Sequence, residues 1–126
     1  LGRDSNVYTL GLVDSIPAAM NAIDVHVLPS LGEAFPNVVA EAMACGTPCV
    51  VTDVGDAAHI VGDVGWVVPP GNHQLLAEGI KSALSQNKAD KQWLLLQAAC
   101  RGRIEDNFGM QLMYDSYKKL WLSVLG

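Results

Sequence analysis

Residues 25–52 read VHVLPSLGEAFPNVVAEAMACGTPCVVT, and the order of residue types within them decides the fold. Val25 to Leu28 is a short apolar, β-rich run closed by Pro29-Ser30. A loop containing Gly32 follows, and Pro36-Asn37 opens a helix through Cys45 in which Val38, Val39, Ala42 and Met43 are apolar. Gly46-Thr47-Pro48 stops that helix sharply, and Cys49 to Thr52 is the next β-rich run. Strand, helix and strand in such short succession predict a β-α-β unit, in which the two strands lie parallel and the helix crosses between them.

The alternation extends outward from this unit. Upstream, Val7 to Leu10 reads as a strand, and Asp14-Ser15 followed by Pro17 reads as the N-cap of a helix that ends near Ile23. Downstream come a short helix near Ala57 to Val61, a brief strand at Trp66 to Val68 and a helix from about His73 to Ser85. The pattern β-α-β-α-β-α-β-α predicts an α/β domain with a doubly wound, Rossmann-like parallel sheet covered on both faces. Near-continuous apolar strands suit that burial, and His26 is the interruption. From Lys88 onward the strand signals stop. Residues 88–107 read as helix and Gly109 punctuates. A last helix then sets Met110, Met113, Tyr114, Tyr117, Leu120, Trp121, Val124 and Leu125 at 3.6-residue spacing. So broad an apolar face calls for a cover, either the chain's own sheet or a partner or second domain.

With 126 residues, half of them hydrophobic and 17% charged, the chain suits a globular domain and excludes a disordered tail. No apolar run approaches the ~20 residues that span a bilayer. A formal charge of −5 argues against nucleic-acid binding. Cys45, Cys49 and Cys100 are an odd number in apolar or helix-like stretches, which suits the reducing cytoplasm better than a disulfide framework. Leu1-Gly2-Arg3 carries neither an initiator methionine nor the features of a signal peptide, so the chain is expected to be a piece of a longer one. The basic residues are Arg3, Lys81, Lys88, Lys91, Arg101, Arg103, Lys118 and Lys119, which leaves none between positions 4 and 80. An anion bound in that stretch must be met by helix N-terminal N–H groups or by cations from elsewhere.

The chemistry concentrates in Ser30 to Pro48. In an open α/β sheet the carboxyl ends of the strands form the ligand crevice, and a helix starting there aims free N–H groups at an anion such as phosphate. Glu33 lies in the loop before the helix and Glu41 in its second turn, so the two carboxylates flank the helix start. A carboxylate accepts two hydroxyl hydrogen bonds from a vicinal diol, and two acids beside a phosphate seat suggest a nucleotide-sugar. The plainer alternative is that both acids only offset the helix dipole.

The stretch resembles the Glu-x7-Glu motif of the retaining glycosyltransferases of family 4, the group 1 type, on the two-domain GT-B fold. The resemblance covers nearly the whole chain. It runs through Asn6 to Gly11, Ala22 to Ser30, Glu33 to Pro48, Val50 to Gly55 and Gly65 to Gly71. It implies that residues 1–108 are a partial, Rossmann-like nucleotide-sugar-binding domain, the C-terminal half of a GT-B fold incomplete at its N-terminus. Residues 109–126 are then a helix that packs on a missing N-terminal domain or partner. Glu33 would contact donor-sugar hydroxyls and stabilise positive charge developing on the ring. The backbone of Ala34, Phe35, Pro36 and Asn37 would line the sugar and diphosphate, Val38 would sit beside the nucleoside, and Glu41 would hold the ribose. The loop Gly11-Leu12-Val13 would border the base. The resemblance further implies transfer from a UDP- or GDP-linked sugar with retention, without a bound metal or other cofactor. The acceptor, a sugar or a lipid-linked one, would be held by the N-terminal domain, in polysaccharide or glycolipid assembly at the inner membrane face, with peripheral membrane contact by the full protein. The basic pair that grips the diphosphate would lie upstream of residue 1, leaving the piece inactive alone. Where relatives carry Gly-Gly-x-x-Glu, this chain has Gly55-Asp56-Ala57-Ala58-His59, so His59 does not inherit the glutamate's role.

The remaining candidates read as structural. His26 and His73 have no partners at ligand spacing, Cys45 and Cys49 lack the second pair of a zinc site, and Trp66, Trp93 and Trp121 read as packing residues. Lys118-Lys119 is too small a cluster to mark a lipid surface. Two rival functions stand beside the transferase: a nucleotide-sugar epimerase or hydrolase of similar fold, and a non-catalytic module that self-associates through the last helix.

Overall fold

The computed structural model describes residues 6–125. Arg3, and the expectation drawn from Leu1-Gly2-Arg3, lie outside them. The elements run α1 (Ile16–Ala22), β1 (His26–Leu28), α2 (Asn37–Ala44), β2 (Cys49–Thr52), α3 (Ala57–Val61), β3 (Trp66–Val68), α4 (His73–Leu84), α5 (Lys91–Phe108) and α6 (Met110–Leu125). The strands form one parallel sheet in the order β1-β2-β3, with His26 beside Cys49, Leu28 beside Val51, and Thr52 beside Val68.

Helices cover both faces. Cys49 and Val51 project into a core shared with Val39 and Met43 of α2, Ile60 and Val61 of α3, and Cys100 of α5. On the other face α4 lies close because Gly79 has no side chain; a Cβ there would stand 3.1 Å from Val50 Cγ1. The fold is the doubly wound, Rossmann-like α/β arrangement that the alternation predicts.

One expectation fails. Val7 to Leu10 forms no strand, and Val7, Tyr8 and Leu10 are all more than 70% exposed. β propensity measures fit to a paired, pleated surface, and among the described residues no strand offers these residues a ladder. Of the two covers open to the last helix, its own sheet is not the one used: α6 has no buried residue, and Trp121 is 66% exposed. Trp93 does pack, at 5% exposed, and Trp66 Nε1 donates to Ser82 Oγ of α4 at 3.1 Å. None of the described helices is long and apolar enough to cross a membrane.

The helix ends differ in how they are closed. Ser15 caps α1, Asn72 caps α4 through the N–H groups of Gln74 and Leu75, and Asp90 caps α5, which sets that helix's start at Lys91 rather than Lys88. At the opposite poles of α2 and α3 the closure comes from α5. Arg101 donates from Nε to Ala44 O at 3.2 Å and from Nη2 to Cys45 O at 3.1 Å, while Arg103 donates from Nε to Ile60 O at 2.7 Å and from Nη2 to His59 O at 2.5 Å. A cation at a helix C-terminus satisfies orphan carbonyls and opposes the negative end of the dipole. Thr47 Oγ1 adds a buried bond to Met20 O at 2.7 Å, tying the end of α1 to the end of α2.

The cysteines are free thiols, Cys49 and Cys100 buried and Cys45 half-buried. Burial pushes the Cys49 thiol far up, with the neighbouring Cys100 adding to it, and pushes Cys100 to about 11, so both stay protonated.

Candidate functional site

The carboxyl ends of β1 and β2 meet the starts of α2 and α3 along one edge of the sheet. Of the residues singled out in the sequence, Glu33 to Val38 lie there. Pro29-Ser30 leaves β1, and Thr52, 2% exposed at the end of β2, donates its hydroxyl to Ser30 O at 2.6 Å, with Leu28 O a more distant 3.3 Å. Ser30 Oγ in turn donates to Glu33 Oε1 at 2.7 Å. From the next loop, the Asp56 N–H donates to Ala34 O at 2.9 Å. Gly55 makes this approach possible: its φ is +51°, and a Cβ on it would stand 2.3 Å from Glu33 O and 2.4 Å from Ala34 O. The loop before α2 is therefore fixed from below by Thr52 and from the side by Gly55 and Asp56.

Helix α2 then starts with Pro36 at its N-cap, and no side chain bonds to its first turn. Proline has neither a side-chain acceptor nor an N–H, so this N-terminus remains open to an external acceptor. Helix α3 is likewise without a side-chain cap bond, although Asp56 holds the cap position. These are the two helices that follow β1 and β2, whereas α1, α4 and α5 are all capped.

Around that N-terminus, Glu33, Ala34 and Asn37 are exposed, Pro36 is buried, and Val38 is half-buried against the core. Phe35 lies at the surface with its ring 5.8 Å from that of Phe108 at the end of α5. The His59 ring stands edge-on to the same Phe108 at 5.5 Å, making an aromatic cluster that the spacing of these residues in sequence does not reveal. A groove of about 640 Å³ runs from Phe35 and Asn37 past Phe108 to Met113 and Tyr117 on α6. Glu41 is exposed on the other side of α2, where it lines a cavity of about 240 Å³ with Ile16, Pro17, Ala44 and Cys45. Glu33 thus lies in the loop at the open helix end, whereas Glu41, in the second turn, borders the C-terminal residues of α2 and the start of α1.

The third expected group is less closely joined. Gly11 adopts φ +66° with nothing within 4 Å of its Cβ position, Leu12 is fully exposed and Val13 is exposed. Among the described residues no hydrogen bond links residues 11–13 to residues 33–41. The loop leads into Ile16-Pro17, however, which borders Glu41. Of the residues that hold the site together, Ser30, Thr52 and Gly55 stand in the recognised blocks without a role being legible. Phe108 is found only through contacts distant in sequence.

His26 is placed away from this edge, at the start of β1. Its Nε2 is buried with no hydrogen-bond partner, and burial lowers its pKa. His73 is the exposed first residue of α4. Among the described residues no group of three or more His, Cys, Asp or Glu side chains is placed to hold a metal ion.

Comparisons with known proteins identify the family. The family model described as Glycosyl transferases group 1 matches residues 1–86. Phosphatidyl-myo-inositol mannosyltransferase of Mycobacterium leprae is 38% identical over 88 residues, covering 66% of this chain and 24% of that protein. UDP-Gal:alpha-D-GlcNAc-diphosphoundecaprenol alpha-1,3-galactosyltransferase of Escherichia coli is 28% identical over 118 residues, covering 92% of this chain and 30% of that protein. Among solved structures, sucrose-phosphate synthase from Thermosynechococcus elongatus superposes with a TM-score of 0.72 at 32% identity, over 85% of this chain and 27% of that one. The chain spans about a quarter to a third of the length of these relatives. With most of the chain matched by the family model and the sheet matched by a solved relative, the chain belongs to the group 1 glycosyl transferases and forms part of a GT-B fold.

Proposed function

We propose that this chain carries the nucleotide-sugar donor site of a retaining hexosyltransferase. The observation that carries the reading is the open N-terminus of α2 at the carboxyl edge of a parallel sheet, with Glu33 in the loop that enters it and Glu41 exposed in its second turn. The first-turn amides of α2 offer the diphosphate partners that no side chain claims. Glu33 meets hydroxyls of the donor sugar and stabilises the positive charge that develops on its ring as the bond to the diphosphate breaks. Ala34, Phe35, Pro36 and Asn37 line the sugar and diphosphate through their backbone, and Val38 borders the nucleoside. Glu41 accepts from the two ribose hydroxyls, and Gly11 to Val13 border a uracil or guanine base. The site uses no metal or other cofactor in this reading, since the donor's charge is met by amides and by cations supplied from elsewhere in the whole enzyme.

In the whole enzyme, residues 1–108 form the donor side of the cleft. The apolar face of α6, within residues 109–126, packs on the domain that holds the acceptor. Two of the relatives are named for lipid-linked acceptors, a phosphatidyl-myo-inositol and a diphosphoundecaprenol. They support an acceptor of that kind, presented at the inner face of the membrane to a cytoplasmic enzyme in glycolipid or polysaccharide assembly.

Ligand-observed NMR titration of the chain with UDP, UDP-glucose, GDP and GDP-mannose tests the donor site. One nucleotide should be preferred, and Glu41→Ala should weaken it by about tenfold, the loss expected from hydrogen bonds to a charged acceptor. Binding unaffected by Glu41→Ala removes the ribose assignment; binding to none of the four moves the titration to a chain extended upstream to include the basic pair, and failure there removes the donor site.

A further inference from the structure

We infer that Ser30 is the positioning residue that makes the donor site selective for a nucleotide bearing its sugar over the free nucleotide. The inference rests on the reading of Glu33 as the sugar contact. Glu33 is exposed and precedes α2 by a short loop, where a glutamate side chain ordinarily samples several rotamers. Here its Oε1 accepts from Ser30 Oγ at 2.7 Å, and Ser30 is itself half-buried with its carbonyl held at 2.6 Å by the buried Thr52 hydroxyl. Thr52 lies in β2, paired on both sides in the sheet, so the carboxylate is referenced through two hydrogen bonds to the most rigid part of the fold. The Glu33 backbone is fixed as well, by the Gly55 approach and by the Asp56 N–H on Ala34 O.

One carboxylate oxygen is thereby anchored and Oε2 is left to accept from a sugar hydroxyl. Fixing a side chain before binding removes the rotamer entropy that the ligand would otherwise have to offset. That gain falls only on ligands that touch Glu33. The nucleoside diphosphate portion lies on the amides and Glu41, beyond the reach of this bond.

The test compares wild type, Ser30→Ala and Ser30→Thr in the 126-residue chain with two readouts. The first is the three-bond coupling constants that report the Glu33 χ1 rotamer; the second is affinity for UDP against UDP-glucose and GDP against GDP-mannose. Wild type should hold one Glu33 rotamer. Ser30→Ala should average it and weaken the sugar conjugate by about fivefold while leaving the free nucleotide unchanged, the size expected for one hydrogen bond. Ser30→Thr, which keeps the hydroxyl, should restore both. Equal weakening of conjugate and free nucleotide would mark a merely structural residue and overturn the inference. So would unchanged couplings in Ser30→Ala when the ligands bind, and in that case the donor site itself stands. If the couplings change but none of the four ligands binds, the affinities are measured on a chain extended upstream to include the basic pair; absence of binding there ends the donor reading and this inference with it.

Discussion

The two poles of α2 and α3 are built on opposite principles. At their C-terminal ends, Arg101 and Arg103 reach across from α5 and close four carbonyls, and Gly46 and Gly62 turn the chain with positive φ. At their N-terminal ends no side chain bonds to either first turn, although three other helices of the same chain are capped in the ordinary way. The sequence can evidently supply caps, and it withholds them where both helices meet the carboxyl edge of the sheet. The two arginines of α5 serve the closed pole. The open pole leaves its first-turn amides unclaimed by side chains, with Val39 N–H alone in α2 turned back to Pro36 O and Ala57 N–H in α3 to Val54 O, and so keeps a capacity to meet a negatively charged ligand.

The largest effect should come from breaking the open pole at its narrowest point. Gly55→Ala places a Cβ 2.3 Å from the Glu33 carbonyl at a φ that side chains avoid, and neither partner is a flexible side-chain tip. The expected cost is about 3 kcal/mol or more, with movement of the Glu33-Ala34 loop. Urea denaturation together with amide shifts at residues 33–38 checks it.

At the closed pole, Arg103→Ala should cost about 2 kcal/mol, since it removes two charge-assisted bonds and a half-buried side chain. Arg101→Ala, at a more exposed position, should cost about 1 kcal/mol. Thermal unfolding of the two variants should rank them in that order, and nucleotide binding should survive in both. Lost binding in a folded Arg103→Ala protein would mean that the closed pole is not purely structural.

The closed pole has one flaw, the unpartnered Nε2 of His26. Burial lowers its pKa below the ordinary 6.5, so on acidification the unfolded chain takes up the proton first. His26 should therefore contribute a loss of stability as the pH falls from about 6.5 through the lowered value, and no change above it. Comparing the pH dependence of the melting temperature in wild type and His26→Phe isolates this contribution, and the variant should fall less between pH 7 and 5. The smallest effect is expected at Glu41. It is exposed and accepts no side-chain hydrogen bond among the described residues, so Glu41→Ala should change stability by less than about 0.5 kcal/mol even as it weakens the nucleotide.

Much of the fold was legible because its signals are local. The Pro36-Asn37 start, the Gly46-Thr47-Pro48 stop and the Ser15 cap each depend on a few adjacent residues, and all are observed. The strand at Val7 to Leu10 was misjudged because a strand exists only with a partner, and propensity does not record whether one is present. The last helix shows the same dependence, since helical periodicity marks its apolar face without naming what covers it.

The sequence by itself determined the parallel α/β order, the helix start beside Glu33 and Glu41, and the family blocks in which they stand. Only the tertiary structure decided that α5 spends Arg101 and Arg103 on carbonyls far upstream, that Phe108 meets both Phe35 and His59, and that Thr52 anchors Ser30 beneath Glu33. The physical reason is range. Capping, turns and periodicity act between near neighbours in the chain, whereas these contacts join residues separated by whole elements and exist only once the sheet has brought the elements together.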